Sequence, residues 1–286
     1  MGIFLKMFRK DRTGAIGGMV VLAFLVLAIL APIVAPMDPL RIQPRRVTSQ
    51  GTQYPPYPPS RENWFGTDQL GRDIFSRVLY GLRLSILIGL VVRGASMVVG
   101  VGVGLLAGYF GGSVDRFLNF LCDVMLAFPS LLIAMAVSLV LGPSIRSLCI
   151  ALTIIGWPDV AKLVRAQAIS LREREFVQAA RALGASDARI LLRHILPNCL
   201  GVILVSFSMG IPGAIMYEAG LSFFGLGVKP PNPSLGSIIS DGRGYLAVAP
   251  WYICFPGLML AVLVLSFNVF GDAIRDMLDP VRRGKS

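Results

Sequence analysis

Charged residues are scarce: they fill 15% of the 286 positions, against about 25% in a soluble globular domain. With 55% hydrophobic residues and a mean hydropathy of +0.70, that shortage excludes an ordinary soluble enzyme. It also excludes disorder, which needs low hydrophobicity and high charge. Histidine is nearly absent, His194 being the single one. The four cysteines, Cys122, Cys149, Cys199 and Cys254, sit apart in apolar stretches, and no two form a C-x-x-C pair. A zinc site would lack its usual clustered ligands, so no metal site is expected, and the cysteines read as buried, reduced packing residues. No H-E-x-x-H and no nucleophile flanked by a base is present, so no catalytic residue is expected.

Long apolar runs are what the chain has instead. Thr13 to Met37 carries no charge over 25 residues, enough to cross a bilayer core at about 17–25 residues. It is too long for a signal-peptide apolar region of about 7–15 residues, so it reads as a retained first helix despite the flanking Lys6, Arg9, Lys10 and Arg12. Further runs cover Leu84–Phe110, Phe117–Leu141, Ser147–Val160, Asn198–Tyr217 and Trp251–Phe270. The fourth is short, and extends across the membrane only if Lys162 snorkels. The expected fold is an all-α membrane protein with six transmembrane helices.

Lys and Arg number 27 against 16 acidic residues. They flank apolar runs rather than filling polar segments, which argues against nucleic-acid binding. With the N-terminus inside, sixteen fall on inner segments and ten on outer ones, with Arg93 within the second span. The bias places both termini in the cytoplasm. Two outer segments are long. Asp38–Arg83 holds the extended stretch Tyr54-Pro55-Pro56-Tyr57-Pro58-Pro59, with no regular helix expected. Glu218–Pro250 begins with the short apolar piece Leu221–Gly227, expected at the outer interface.

The inner segment 161–197 differs from the rest. Its first half is rich in helix formers, and Phe176, Ala179, Ala180 and Leu183 fall at i, i+3, i+4 and i+7, one apolar face. Gly184 stands where a helix would end in the left-handed region. Ser186 would cap a second helix, and Leu196-Pro197 lead into the next span. One reading is a surface hairpin solvated by its charges. The other is a docking element that enters a groove on a soluble partner.

The segment resembles the E-A-A loop of ATP-binding-cassette (ABC) importer permeases. Here it reads Gln178-Ala179-Ala180, Gly184 and Leu196-Pro197, with Glu175 and Ala185 in the same loop. Five further stretches are similar to the C-type permeases of dipeptide, oligopeptide and nickel importers: the run from Phe65 to Arg77, Asp123 to Pro129, Glu218 to Gly227, Phe267-Asn268 and Leu278-Asp279-Pro280. Gln178 replaces the family's Glu, keeping size and hydrogen bonding without charge, and His194 stands where the family has Ile. The resemblance implies a six-helix type I ABC-importer permease in a bacterial cytoplasmic membrane. It implies pairing with a homologous B-type permease, two soluble ATPases beneath that hold the ATP and Mg, and an extracytoplasmic substrate-binding protein above. This chain would bind no cofactor. Its cargo would be di- or oligopeptides, with nickel or glutathione as relatives' alternatives. The expected organisation is an N-terminal tail, first helix and outer loop over 1–83, a five-helix core over 84–272, and a cytoplasmic tail over 273–286. The only G-K-S, Gly284-Lys285-Ser286, has Asp279 where a phosphate loop needs Gly and no helix after it.

Charges in the spans stand out, because an intramembrane charge is functional by default. Arg93 lies about nine residues into the second span, roughly 14 Å deep. Arg93, Asp123 and Glu218 are candidates for a translocation path; the competing reading is that they snorkel or pair structurally. Asp159 and Glu218 are expected at span ends. Gly100, Gly104 and Gly108, with Gly102 between, suggest close helix packing within the subunit or against a partner. Met125, Phe128 and Pro129 suggest a kink. An ion-coupled transporter or channel is the main alternative, but would need midplane carboxylates or broken helices and leaves the inner loop unexplained.

Overall fold

The computed structural model describes residues 12–48 and 51–278; Lys6, Arg9, Lys10, Asp279-Pro280 and Gly284-Lys285-Ser286 lie outside the described residues. Helices α1 (Arg12–Val34), α2 (Ile74–Phe110), α5 (Ile145–Arg172), α8 (Leu196–Phe223) and α10 (Trp251–Leu278) are each long and apolar enough to cross a membrane. Helices α3 (Gly112–Ala127) and α4 (Ser130–Leu141) qualify only together, and they meet at 90°. The break lies at the expected kink. Phe128 is extended, at φ −101 and ψ 147, because a following proline disfavours the helical region. Counting the broken pair as one gives six spans.

Two spans differ most from the hydropathy reading. Helix α2 starts ten residues early because Asp73 caps it, accepting from the Ser76 backbone N–H at 2.8 Å. The fourth span is no 14-residue fragment: α5 runs for 28 residues. On this extension Lys162 is paired: its Nζ donates to Asp123 Oδ1 of α3 at 2.5 Å, and Arg165 grips Asp115 with Nε and Nη2. Paired charges on α3 let α5 continue where its own sequence turns polar.

The glycine repeat explains how α2 and α5 meet. A Cβ added at Gly100, Gly104 or Gly108 would stand 2.6 Å from Val160 Cβ, 2.5 Å from the Ala161 carbonyl and 2.7 Å from Ala168 Cβ. Contacts advance by four residues on both helices, so the two run parallel within one subunit. Gly102 takes no part; its Cβ would meet nothing within 4 Å.

Three apolar clusters fill the bundle. One joins α1, α2, α8 and α10 to the short outer helix α9 (Leu235–Gly242), through Phe24, Ile86, Ile215, Ile238 and Phe267. A second lies where α2, α5 and α8 reach the inner loop, and a third between α2, α4, α5 and α8. The outer loop is not wholly irregular: β1 (Arg46–Thr48) pairs antiparallel with β2 (Gly51–Gln53). Cys122 and Cys199 are buried as expected and Cys149 half-buried, but Cys254 is exposed; all four are free.

Candidate functional site

The segment between α5 and α8 folds as a helical hairpin. Helix α6 covers Glu175–Ala182 and α7 covers Asp187–Ile190, followed by a π-helical turn at Leu191–Ile195. Glu175 in the first turn and Arg181 in the last suit the helix dipole. Gly184 has φ +80. Its N–H bonds the Arg181 carbonyl at 2.9 Å, and the Ala185 N–H bonds the Ala180 carbonyl at 3.0 Å, a Schellman ending that needs a left-handed residue. Ser186 caps α7 by accepting from the Arg189 N–H at 3.4 Å. Pro197 falls in the first turn of α8, where a missing N–H costs nothing.

The apolar stripe read from spacing splits in two. Phe176, Ala179 and Leu183 face outward, Leu183 being 88% exposed. Ala180 turns inward, half-buried with Ala185 against the inner cluster. The anchors are residues that the stripe omitted: Val177, Ile190 and Ile195 are each 0% exposed. An eight-residue helix presents two faces, and a residue beside the stripe can be the buried one. Gln178 is exposed, and its Nε2 donates to the Arg172 carbonyl at 3.1 Å. An ionised Glu could not donate there, which gives the substitution a physical role at the end of α5.

The hairpin is fastened to α2. The Tyr109 hydroxyl donates to Asp187 Oδ1 at 2.6 Å. The Arg181 guanidinium stands over the Tyr109 ring, 5.6 Å from its centroid, and Arg172 Nη1 donates to the Tyr109 carbonyl at 3.3 Å. Neither Tyr109 nor Asp187 stood out in the sequence, since a hydroxyl and a carboxylate 78 positions apart leave no local signal.

The three candidates for a path are not brought together. Arg93 donates from Nη2 to the Ser206 carbonyl and hydroxyl, each at 2.6 Å. Asp123 pairs with Lys162 and accepts from Asn119 Nδ2 at 2.8 Å. Glu218 overturns the expectation of an exposed span end: it is 0% exposed and accepts from Ser85 Oγ at 2.7 Å and Ser222 Oγ at 2.8 Å. Helix α8 runs on to Phe223 and α9 packs against it, so Glu218 lies buried inside this subunit. Asp159 also departs from expectation, lying exposed in the middle of α5.

At the opposite end, the stretch from Phe65 to Arg77 forms a buried polar knot. Asp68 Oδ2 accepts from Arg72 Nε at 2.6 Å, and its Oδ1 from the backbone N–H groups of Leu70 and Arg72, each at 2.9 Å. Arg77 leans on Asp68 at 3.4 Å and on Asp241 of α9 at 3.8 Å. Asn63 Nδ2 donates to Asp73 Oδ1 at 3.0 Å. Burial holds the Asp241 carboxyl above the usual range, with Arg77 opposing.

Residues 100–284 match the family described as binding-protein-dependent transport system inner membrane component. Residues 1–59 match the N-terminal TM domain of oligopeptide transport permease C. The chain is 41% identical over 275 residues to the dipeptide transport system permease protein DppC of Alkalihalophilus pseudofirmus, covering 96% of this chain and 88% of that one. It is 38% identical to the oligopeptide transport system permease protein OppC of Bacillus subtilis, covering 96% and 88%. To the glutathione transport system permease protein GsiD of Escherichia coli it is 41% identical, covering 98% and 90%. Among solved structures, an inward-facing MetNI methionine ABC transporter chain aligns at TM-score 0.57 and 19% identity, over 71% of this chain and 96% of that one; that likeness concerns the fold. Spanning helices, inner hairpin and matched length agree: the chain belongs to the family of binding-protein-dependent transport system inner membrane components, as a multi-pass permease of the DppC/OppC-like kind.

Proposed function

We propose that this chain is one permease half of an ATP-driven importer of di- or oligopeptides. It pairs with a homologous B-type permease, receives cargo from an extracytoplasmic binding protein and rests on two cytoplasmic ATPases. ATP and Mg belong to those ATPases and not to this chain. The observation that carries the reading is α6, a short helix rooted by Val177 that leaves Phe176, Ala179 and Leu183 bare. Apolar side chains on a rigid, basic inner hairpin suit the groove of a soluble partner, and α2, fastened through Tyr109, is the element that would carry its movement into the membrane. Glu218 is the feature that favours an ion-coupled transporter, but its oxygens are taken by hydroxyls and it is sealed from both surfaces.

Leu183→Glu and Phe176→Ala test this in the assembled complex. Both side chains are exposed, so the stability of the chain should change by less than about 0.5 kcal/mol. Co-purification of the ATPases, or uptake per ATP hydrolysed in proteoliposomes, should fall about tenfold, the scale of one interface hot spot. Normal ATPase recovery and normal uptake in both variants would leave the hairpin as a solvated surface. The purified chain should show no melting shift with ATP; a shift that follows mass action would overturn the division of labour.

A further inference from the structure

Four charges of the spanning helices, Arg93, Asp123, Asp159 and Lys162, lie on α2, α3 and α5, apart from the buried Glu218 and Arg77. Arg93 stands near the middle of α2, a helix of 37 residues. Asp159 lies exposed on α5, one turn past Gly156, whose added Cβ would stand 2.6 Å from Ser96 Oγ of α2, one turn past Arg93, and one turn before Lys162. Beside Cys122, Asp123 pairs with Lys162, their side chains 52% and 40% exposed. The four therefore form a seam that runs from mid-depth toward the hairpin end. Exposed charges at such depth face a water-filled cavity or a protein interior rather than hydrocarbon. Faces that suit lipid include those of α1 and α10, which expose Ile29, Ile33, Leu258 and Leu265.

At the deep end, Arg93 is held but not neutralised. Its Nη2 and Nε donate to Ser206. The bare backbone of Gly210 provides the slot for the guanidinium, since a Cβ there would stand 1.9 Å from Nε. Among the described residues the hydrogen bonds of Arg93 all go from Nε and Nη2 to Ser206, and none goes to a carboxylate or leaves from Nη1. A guanidinium fixed along one edge, with N–H groups open on the other, is complementary to a carboxylate. A phosphate dianion would call for more than this single cation.

We infer that Arg93 receives the carboxylate of the cargo, for a peptide its free C-terminus, as it passes the midpoint of the permease, and that the seam through Asp159 toward Lys162 is the wall along which it leaves. This rests on the peptide-import reading. The test uses the complete importer in proteoliposomes with its binding protein and two probes, trialanine and trialanine amide. Initial uptake of each is compared for the wild type and Arg93→Gln. The binding protein is common to both, so its own preference cancels in the ratio of the two acid-to-amide ratios, as in a double-mutant cycle. Loss of a charge-assisted hydrogen bond should change that ratio by about tenfold or more. Gly210→Ala, which keeps Arg93 but fills its slot, should lower the acid preference in the same direction and carries the test if the Arg93→Gln complex fails to assemble. Equal acid-to-amide ratios in the wild type and the variants overturn the inference while leaving peptide import standing. Failure of the wild type to import either probe sinks both.

Discussion

At the outer end, Asp68, Arg72 and Arg77 are at most 9% exposed and lean on one another. At the hairpin end, Leu183 is 88% and Phe176 43% exposed, with charged residues around them left open to solvent. The outer knot has drawn its charges inward and closed over them; the hairpin has pushed apolar groups outward. A buried ion cluster adds little stability over an apolar core, but removing one member is costly because the rest stay buried and unpaired. Bare apolar residues on a rigid helix stabilise nothing within the chain. The Asp68 knot is thus closed within the single subunit, whereas the stripe on the hairpin is left uncovered by it.

The largest effect should come from breaking the outer knot. Asp68→Ala strips Arg72 and Arg77 of their shared carboxylate and should cost about 3–5 kcal/mol. Thermal unfolding in detergent should show this as loss of folded protein, whatever the ATPases do. A cost under about 1 kcal/mol would mean that the knot is no more than a surface ion pair, and the contrast between the ends would disappear.

Gly184→Val should act more weakly and elsewhere. The left-handed conformation at φ +80 costs an L-residue about 1–2 kcal/mol, confined to the hairpin. Insertion and bundle stability should survive while ATPase recovery falls. Bundle unfolding as severe as that of Asp68→Ala would show the hairpin to be part of the core rather than a mounted element. Ala180 is a poor probe of the same surface, because it is half-buried against the inner cluster.

The smallest effect should follow Tyr109→Phe, which removes one hydrogen bond to Asp187, worth about 1 kcal/mol. The ATPases should still bind, but transport per ATP hydrolysed should drop, and Asp187→Asn, which keeps an acceptor, should stay near wild type. An unchanged transport-to-hydrolysis ratio would reduce Tyr109 to packing between the hairpin and α2.

Sequence alone determined whatever depends on neighbours along the chain. Uncharged runs marked α1, α8 and α10 because the cost of leaving apolar surface in water sums over consecutive residues. A four-residue glycine spacing marked the face where two helices touch, Pro129 marked the break between α3 and α4, and Gly184 marked the hairpin turn, each through a property of its own backbone. Tertiary structure decided the fate of the charges. Lys162 and Arg165 follow the short fourth apolar run, yet α5 continues through them because carboxylates 39 and 50 positions away neutralise them. Glu218, at the end of an apolar run, is buried because α9 packs against α8 there and serines bond its oxygens. Ala180 left the bare stripe and Val177, outside it, became the anchor because the inner cluster, not the helical period, chose the buried face. The cost of an ionised group depends on partners brought close by folding, and their distance along the chain carries no trace of that approach.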